Sequence, residues 1–282
     1  MNKLFPAVPG RKDVMGNVWI RDNYYIYHSA SDKTKKRIFR GFEEIVKKHQ
    51  RKIEHCLLHP PKEDHEYLHP LYKPNLEEID HEWGFIQNDA IGNLLEILSI
   101  HRSRYAQLVY DYLMKIKFWE CPDYGMWEEG PKRIQTASIN ACIKGILAFK
   151  FQRPDVKILP EIYTALHKAK EKEADLSLLT LHDHSLLEQV KPLIGKYGVK
   201  RYLGDKWNGE TRDEEVEPEW CFGLAFLYQI TGDKKYLDKL DEIHEQVGYI
   251  PEMMINGEPN INTPLNWAEA MYRGISDKHK PF

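Results

Sequence analysis

The chain has 282 residues, with 40 Lys and Arg against 43 Asp and Glu and a formal net charge of −3 at pH 7. That balance excludes a general nucleic-acid binder, which needs a basic surplus, and no apolar run approaches the ~20 residues that span a bilayer. Cys56, Cys121, Cys142 and Cys221 lie far apart with no C-x-x-C pair, and the N-terminal stretch lacks an apolar signal-peptide core, so the expectation is a cytoplasmic protein with reduced thiols. In chain order, residues 37–49 carry Ile38, Phe39, Phe42, Ile45 and Val46 at helical spacing. Residues 86–100 place Ile86, Ala90, Ile91, Leu94, Leu95 and Leu98 on one helix face, and 105–118 form the next helix. Residues 135–150 hold small residues suited to close helix packing. Pro154 ends that stretch, and 159–172 is helical again. Later helices are expected at 185–194, 219–230, 234–246 and 264–273, with Thr231-Gly232-Asp233 as a short helix–helix link. No convincing strand alternation appears.

The expectation is therefore an all-α chain of antiparallel helix pairs. With no linker or low-complexity stretch, residues 1–282 read as one domain with a frayed tail at 276–282. The longer loops, 55–85, 119–134, 197–217 and 248–264, are rich in Trp, Tyr and charged residues. Four motifs stand out as loop motifs. They are Val18-Trp19-Ile20-Arg21-Asp22-Asn23, the run from Trp83 to Asp89, Met126-Trp127-Glu128-Glu129-Gly130, and Tyr249-Ile250-Pro251-Glu252 followed by Pro264-Leu265-Asn266-Trp267. Each sets an aromatic ring beside charged groups. A sugar offers an apolar face for stacking and a rim of hydroxyls for Arg, Asp, Glu and Gln. Glycoside hydrolysis needs paired carboxylates, one to protonate the leaving oxygen and one to activate water or attack.

Together, in this order, the motifs resemble glycoside hydrolase family 15, the glucoamylase family, which also includes the non-hydrolytic phosphorylase kinase regulatory subunits. The resemblance runs from about Val18 to Tyr272. The family's Trp-x-Arg-Asp is similar to Trp19-Ile20-Arg21-Asp22, its Trp-Gly-x-x-Gln-x-Asp to Trp83 through Asp89, and its Trp-Glu-Glu to Trp127-Glu128-Glu129. Its Arg-Tyr-x-x-Asp is similar to Arg201-Tyr202-Leu203-Gly204-Asp205, and its helix-opening Pro-Trp to Pro218-Glu219-Trp220. Its general-base motif and the Pro-Leu-x-Trp helix start match Pro251-Glu252 and Pro264-Leu265-Asn266-Trp267.

The resemblance implies a toroid of six helix pairs in a double ring, here with one helix missing or reduced because the chain begins almost at the first motif. It implies an inverting exo-acting glucosidase for α-linked gluco-oligosaccharides of the maltose or isomaltose kind, with no cofactor and no metal. Glu128 is then the general acid and Glu252 the general base, ~6.5–9.5 Å apart. Arg21, Asp22 and Arg201 grip the terminal glucose, Glu129 binds the neighbouring subsite, and Trp19, Trp83, Trp127 and Trp267 wall the pocket. Gln87 and Asp89 orient the surrounding loop. A homodimer that closes an open seam is the expected assembly.

Several alternatives stay open at this point. Glu258 competes with Glu252 as base. Glu210, Glu214, Glu215 and Glu217 read as a solvated charge run. His55/His59 and His65/His69 have i, i+4 spacing, but Pro60 and Pro61 intervene and no third ligand is evident, which argues against a metal. The competing function is a non-catalytic sugar-binding or regulatory protein of the phosphorylase kinase branch, and a third reading is a hydrolase of another glycan.

Overall fold

The computed structural model describes residues 3–79, 84–170, 174–213 and 215–276. Trp83 and the tail from residue 277 lie outside them. The chain divides into two compact units. One is Met1–Pro6, Asn17–Tyr24 and Asp32–Lys172; the other is Ala7–Gly16, Tyr25–Ser31 and Glu173–Phe282. The fold is all-α, with only short strands.

In the first unit, β1 (Val18–Trp19) leads directly into α1 (Ile20–Ser29), whose first half belongs here. The sequence reading takes this stretch as a loop motif. Arg21, Asp22 and Asn23 are all buried, so the apolar face that marks a surface helix is interrupted. α2 (Asp32–Lys48) is amphipathic, burying Ile38, Phe42, Ile45 and Val46, and α3 (Gln50–Leu58) buries Ile53 and Cys56. α3 is a helix that the expected 55–85 loop partly hides. β2 (Leu71–Tyr72) pairs antiparallel with β1, Val18 opposite Tyr72 and Trp19 opposite Leu71.

α4 (Asn88–Ile100) is buried along most of its length, and α5 (Ala106–Ile116) ends at Lys117, which takes the left-handed conformation at φ 50°. α6 (Thr136–Gln152) lies against α4, as its small residues predict. A Cβ on Gly92 would come within 2.5 Å of the Ala141 carbonyl carbon, and one on Gly145 within 2.5 Å of the Gly92 oxygen. Only glycine lets the two backbones approach this closely. α7 (Pro160–Lys170) follows and packs on α6.

In the second unit, the helix expected at 185–194 is broken. A 3₁₀ turn at His184–Leu186, a four-residue α8 (Leu187–Val190) and a second 3₁₀ turn at Lys191–Leu193 replace it. Pro192 accounts for this, since it lacks an N–H and its ring crowds the carbonyl four residues back. The helix expected from residue 219 also starts late. Glu219 and Trp220 form β3 (Glu219–Trp220), and the Glu219 carboxylate accepts from the N–H groups of Tyr197 and Gly198.

α9 (Phe222–Thr231) buries Phe222 through Leu227 and Ile230 and packs on both α10 (Lys234–Val247) and α11 (Asn266–Ile275). The α9–α10 link is as expected: Gly232 stops α9 at φ 67°, and the Asp233 carboxylate accepts from Lys235 N–H to cap α10. β4 (Met253–Ile255) pairs antiparallel with β3 and with β5 (Glu258–Pro259), forming a three-stranded ribbon that the helical reading leaves out.

Candidate active site

The first unit gathers Trp19, Arg21 and Glu128 around one carboxylate. The Trp19 indole Nε1 donates to Glu128 Oε1 at 2.9 Å, and Arg21 Nη2 donates to the same oxygen at 3.1 Å. Arg21 is buried, and its other contacts hold it rigidly. Nη1 donates to Asp89 Oδ2 at 3.2 Å, and Nη2 also donates to Gln87 Oε1 at 2.6 Å. Gln87 in turn donates from Nε2 to the Gly84 carbonyl at 2.6 Å. Gln87 and Asp89 thus orient Arg21, with Asp89 standing in the first turn of α4.

Local backbone chemistry presents Glu128. Gly125 at φ 63° and Glu128 itself at φ 60° make a tight turn. Asp123 fixes the start of this turn, accepting from Gly125 N–H at 3.1 Å and from Asn88 N–H at 2.9 Å. Complete burial and then the charge of Asp89 push the Asp123 carboxyl up to about 8. The Glu128 side chain is 16% exposed, the Arg21 side chain 4%. Trp127 and Glu129 flank it half-buried, and Asp22 is buried in the first turn of α1. Trp83 lies outside the described residues.

The second unit holds the other candidate carboxylate. Glu252 is 8% exposed, and its Oε2 accepts from Asn260 Nδ2 at 2.6 Å and Asn262 Nδ2 at 3.0 Å. Glu258 is exposed on β5 beside the turn and has a solvated environment. Arg201 is buried in a two-pronged ion pair with Asp205, Nε to Oδ2 at 2.7 Å and Nη2 to Oδ1 at 2.6 Å. Trp220 joins this pair, with its indole N–H 3.4 Å from Asp205 Oδ2 and its ring centroid 5.1 Å from the guanidinium carbon. Trp267 is buried in α11, with ring centroids 4.7 Å from Tyr25 and 4.4 Å from Phe222.

Sequence reading does not single out Asp123, Asn260 or Asn262. For Asp123 a signal exists, since Asp two residues before Gly is the pattern of an Asx turn. Among the described residues, no group of three His, Cys, Asp or Glu side chains is arranged to hold a metal ion. No helix among them is long and apolar enough to cross a membrane.

A glycosidase in its wild-type form superposes on the chain with a TM-score of 0.75 at 18% identity, covering 98% of this chain and 91% of that one. This chain shares its all-α fold. A glycosidase variant in complex with glucose gives a TM-score of 0.74 at 18% identity over the same shares. The glucoamylase of Saccharomycopsis fibuligera gives 0.55 at 12% identity, covering 97% of this chain and 79% of that one. In sequence, the chain is 23% identical over 348 residues to a probable phosphorylase b kinase regulatory subunit alpha of Drosophila melanogaster, covering 92% of this chain and 27% of that one. The protein of the same description from Caenorhabditis elegans is 22% identical over 312 residues, covering 80% and 25%. The chain therefore spans about a quarter of the length of these curated relatives. No family model matches it.

Proposed function

We propose that the chain is an inverting, exo-acting glucosidase of the glucoamylase type, acting on α-linked gluco-oligosaccharides, with Glu128 as general acid and Glu252 as general base. The observation that carries this reading is the contrast between the two carboxylates. Glu128 is held by an indole and a shared guanidinium, Glu252 by two neutral carboxamides. The hydrogen bonds from Trp19 and Arg21 both end on Glu128 Oε1, which fixes the orientation of the carboxyl group. Arg21 serves Asp89 as well as Glu128 and does not neutralise Glu128 alone. Around Glu252 the donors favour the ionised carboxylate that a base requires. In this reading the sugar hydroxyls are bound by Arg21, Asp22, Arg201 and Glu129, with the rings of Trp19, Trp127 and Trp267 as apolar contacts. The likeness in fold to glycosidases, one of them solved with glucose, supports a sugar substrate.

A second reading is a non-catalytic, sugar-binding regulatory protein. The likeness in sequence to regulatory subunits favours it. Proton NMR of the anomeric region separates the two, with maltose, isomaltose, trehalose and maltotetraose incubated with the protein and with its Glu128→Gln and Glu252→Gln variants. Early β-glucose, reduced by about 10²–10⁴-fold in both variants, is the expected result. No cleavage of any of the four sugars, with tryptophan fluorescence still responding to sugar, overturns the enzyme reading in favour of the second.

A further inference from the structure

We propose that Asn260 and Asn262 are positioning residues that hold the Glu252 carboxylate ionised and in one orientation, and that Gly209 allows them to close on it. This rests on the reading of Glu252 as the base.

The β4–β5 hairpin builds the arrangement. Glu252 precedes β4 and Asn260 follows β5, and the Asn260 N–H donates to the Met253 carbonyl at 3.1 Å, so the two side chains leave adjoining rungs. Both carboxamides are buried and both end on Glu252 Oε2. Their orientation is fixed independently of Glu252. Thr263 Oγ1 donates to Asn260 Oδ1 at 3.2 Å, which turns the Asn260 NH₂ toward the carboxylate. Asn262 Nδ2 also donates to the Gly209 carbonyl at 3.0 Å, an atom that can only accept. A carboxamide neither gives up a proton nor cancels the charge it faces. Two of them donate to the carboxylate without cancelling its charge.

Gly209 sets the approach. Its φ is +106°, and a Cβ there would stand 2.6 Å from Asn260 Nδ2 and 3.3 Å from Asn262 Nδ2. Among the described residues, β3 brings Glu219 opposite Met254 of this hairpin, and the Tyr197 hydroxyl lies against Gly257 at its turn. Arg11 donates to the Ile261 carbonyl and pairs with Asp13, Glu210 adjoins Gly209, and Glu258 lies on β5. Cys221 donates its backbone N–H to the Glu252 carbonyl at 3.4 Å.

The test follows the Glu252 side-chain carboxyl by ¹³C NMR through a pH titration, its signal assigned by its loss in Glu252→Gln. The pH dependence of kcat/KM is measured in parallel on whichever α-glucoside turns over fastest. The proteins are the wild type, Asn260→Asp, Asn262→Asp and Gly209→Ala. Two carboxylates at hydrogen-bond distance share a proton, so each Asp variant raises the Glu252 titration and the acid limb by about one pH unit or more. In each, kcat falls by roughly tenfold or more while KM stays within about twofold, because the ground-state sugar contacts are untouched. Gly209→Ala moves both readouts the same way by less, and it retains Glu252, Asn260 and Asn262 themselves should an Asp variant not fold. A Glu252 signal that titrates at the same pH in all four proteins overturns the proposal. If the wild type cleaves no sugar yet the signal moves, the clamp stands and the hydrolase reading falls. If sugar is cleaved and the signal does not move, the clamp falls and the hydrolase reading stands.

Discussion

Trp19 and Glu128 are joined by an indole N–H···Oε1 hydrogen bond of 2.9 Å that spans 109 residues of sequence. Its donor sits at the end of β1 and its acceptor at the turn before Gly130, so the bond ties the entry of α1 to the turn that carries the candidate acid. Trp19→Phe keeps the ring and removes the donor. A hydrogen bond to a charged group is worth ~1.5–3 kcal/mol. The expected result is a fall in kcat of roughly 10–100-fold with KM little changed, read by steady-state kinetics. A fall confined to KM would assign the ring to sugar stacking alone.

Asp123 gives the first unit a pH-dependent stability of unusual sign. Its carboxyl is raised by burial and by Asp89 to about 8, whereas an unfolded Asp ionises near 3.9. Between those values the folded state binds the extra proton, so stability is fully present at acid pH and is lost as pH rises toward about 8. The slope is at most ~1.4 kcal/mol per pH unit. Asp123→Asn is expected to flatten urea-denaturation midpoints between pH 5 and 8 relative to the wild type. Equal slopes in both proteins would refute the assignment.

His69 acts in the opposite sense. It is buried, stacks on Phe85 with centroids 4.1 Å apart, and is pushed down to about 4 by burial and then by the charge of Lys52. Glu78 and the His65 carbonyl pull the other way, more weakly, and His49 adds a small push of the same sign as Lys52. An unfolded His protonates near 6.5, so between about 4 and 6.5 the unfolded chain binds more protons. Stability is therefore lost as pH falls through that window. His69→Phe preserves the stack and is expected to lower the loss of Tm between pH 6.5 and 4.5. An unchanged loss would show that other groups govern acid unfolding.

Gly92→Ala tests the α4–α6 crossing. The added methyl would meet the Ala141 carbonyl carbon at 2.5 Å, a backbone atom with no rotamer to yield. Overpacking of this kind costs ~1–3 kcal/mol or more. The expected outcome is a clear drop in Tm, measured by circular dichroism; a neutral result would mean that the helices part at little cost.

Much of the fold is legible in the residues. α2, α4 and α10 follow apolar spacing, and the Gly232–Asp233 link is read from its capping chemistry. α1 is not, because Arg21, Asp22 and Asn23 are buried for their polar contacts and spoil the amphipathic pattern. Pro192 carries the warning that the 185–194 helix would break. The strand at Glu219–Trp220 has no such local signal, because the pairing with Met253 and Met254 that defines it is distant in sequence. The site divides along the same line. Trp19, Arg21 and Glu128 announce themselves by motif and do meet. Asn260 and Asn262 are two common polar residues in a loop, and only the hairpin register turns them into partners of Glu252.

The contact of Gly92 with α6 bears on motion as well as on packing. Backbone rests on backbone there, with no side chain to compress or swing aside. Asp89, one turn earlier on α4, therefore anchors Arg21 on a helix with no slack. The turn at 124–131 carries Glu128, whose side chain is the more exposed member of its pair with Arg21. Amides of α4 are then expected to be among the last to exchange with solvent.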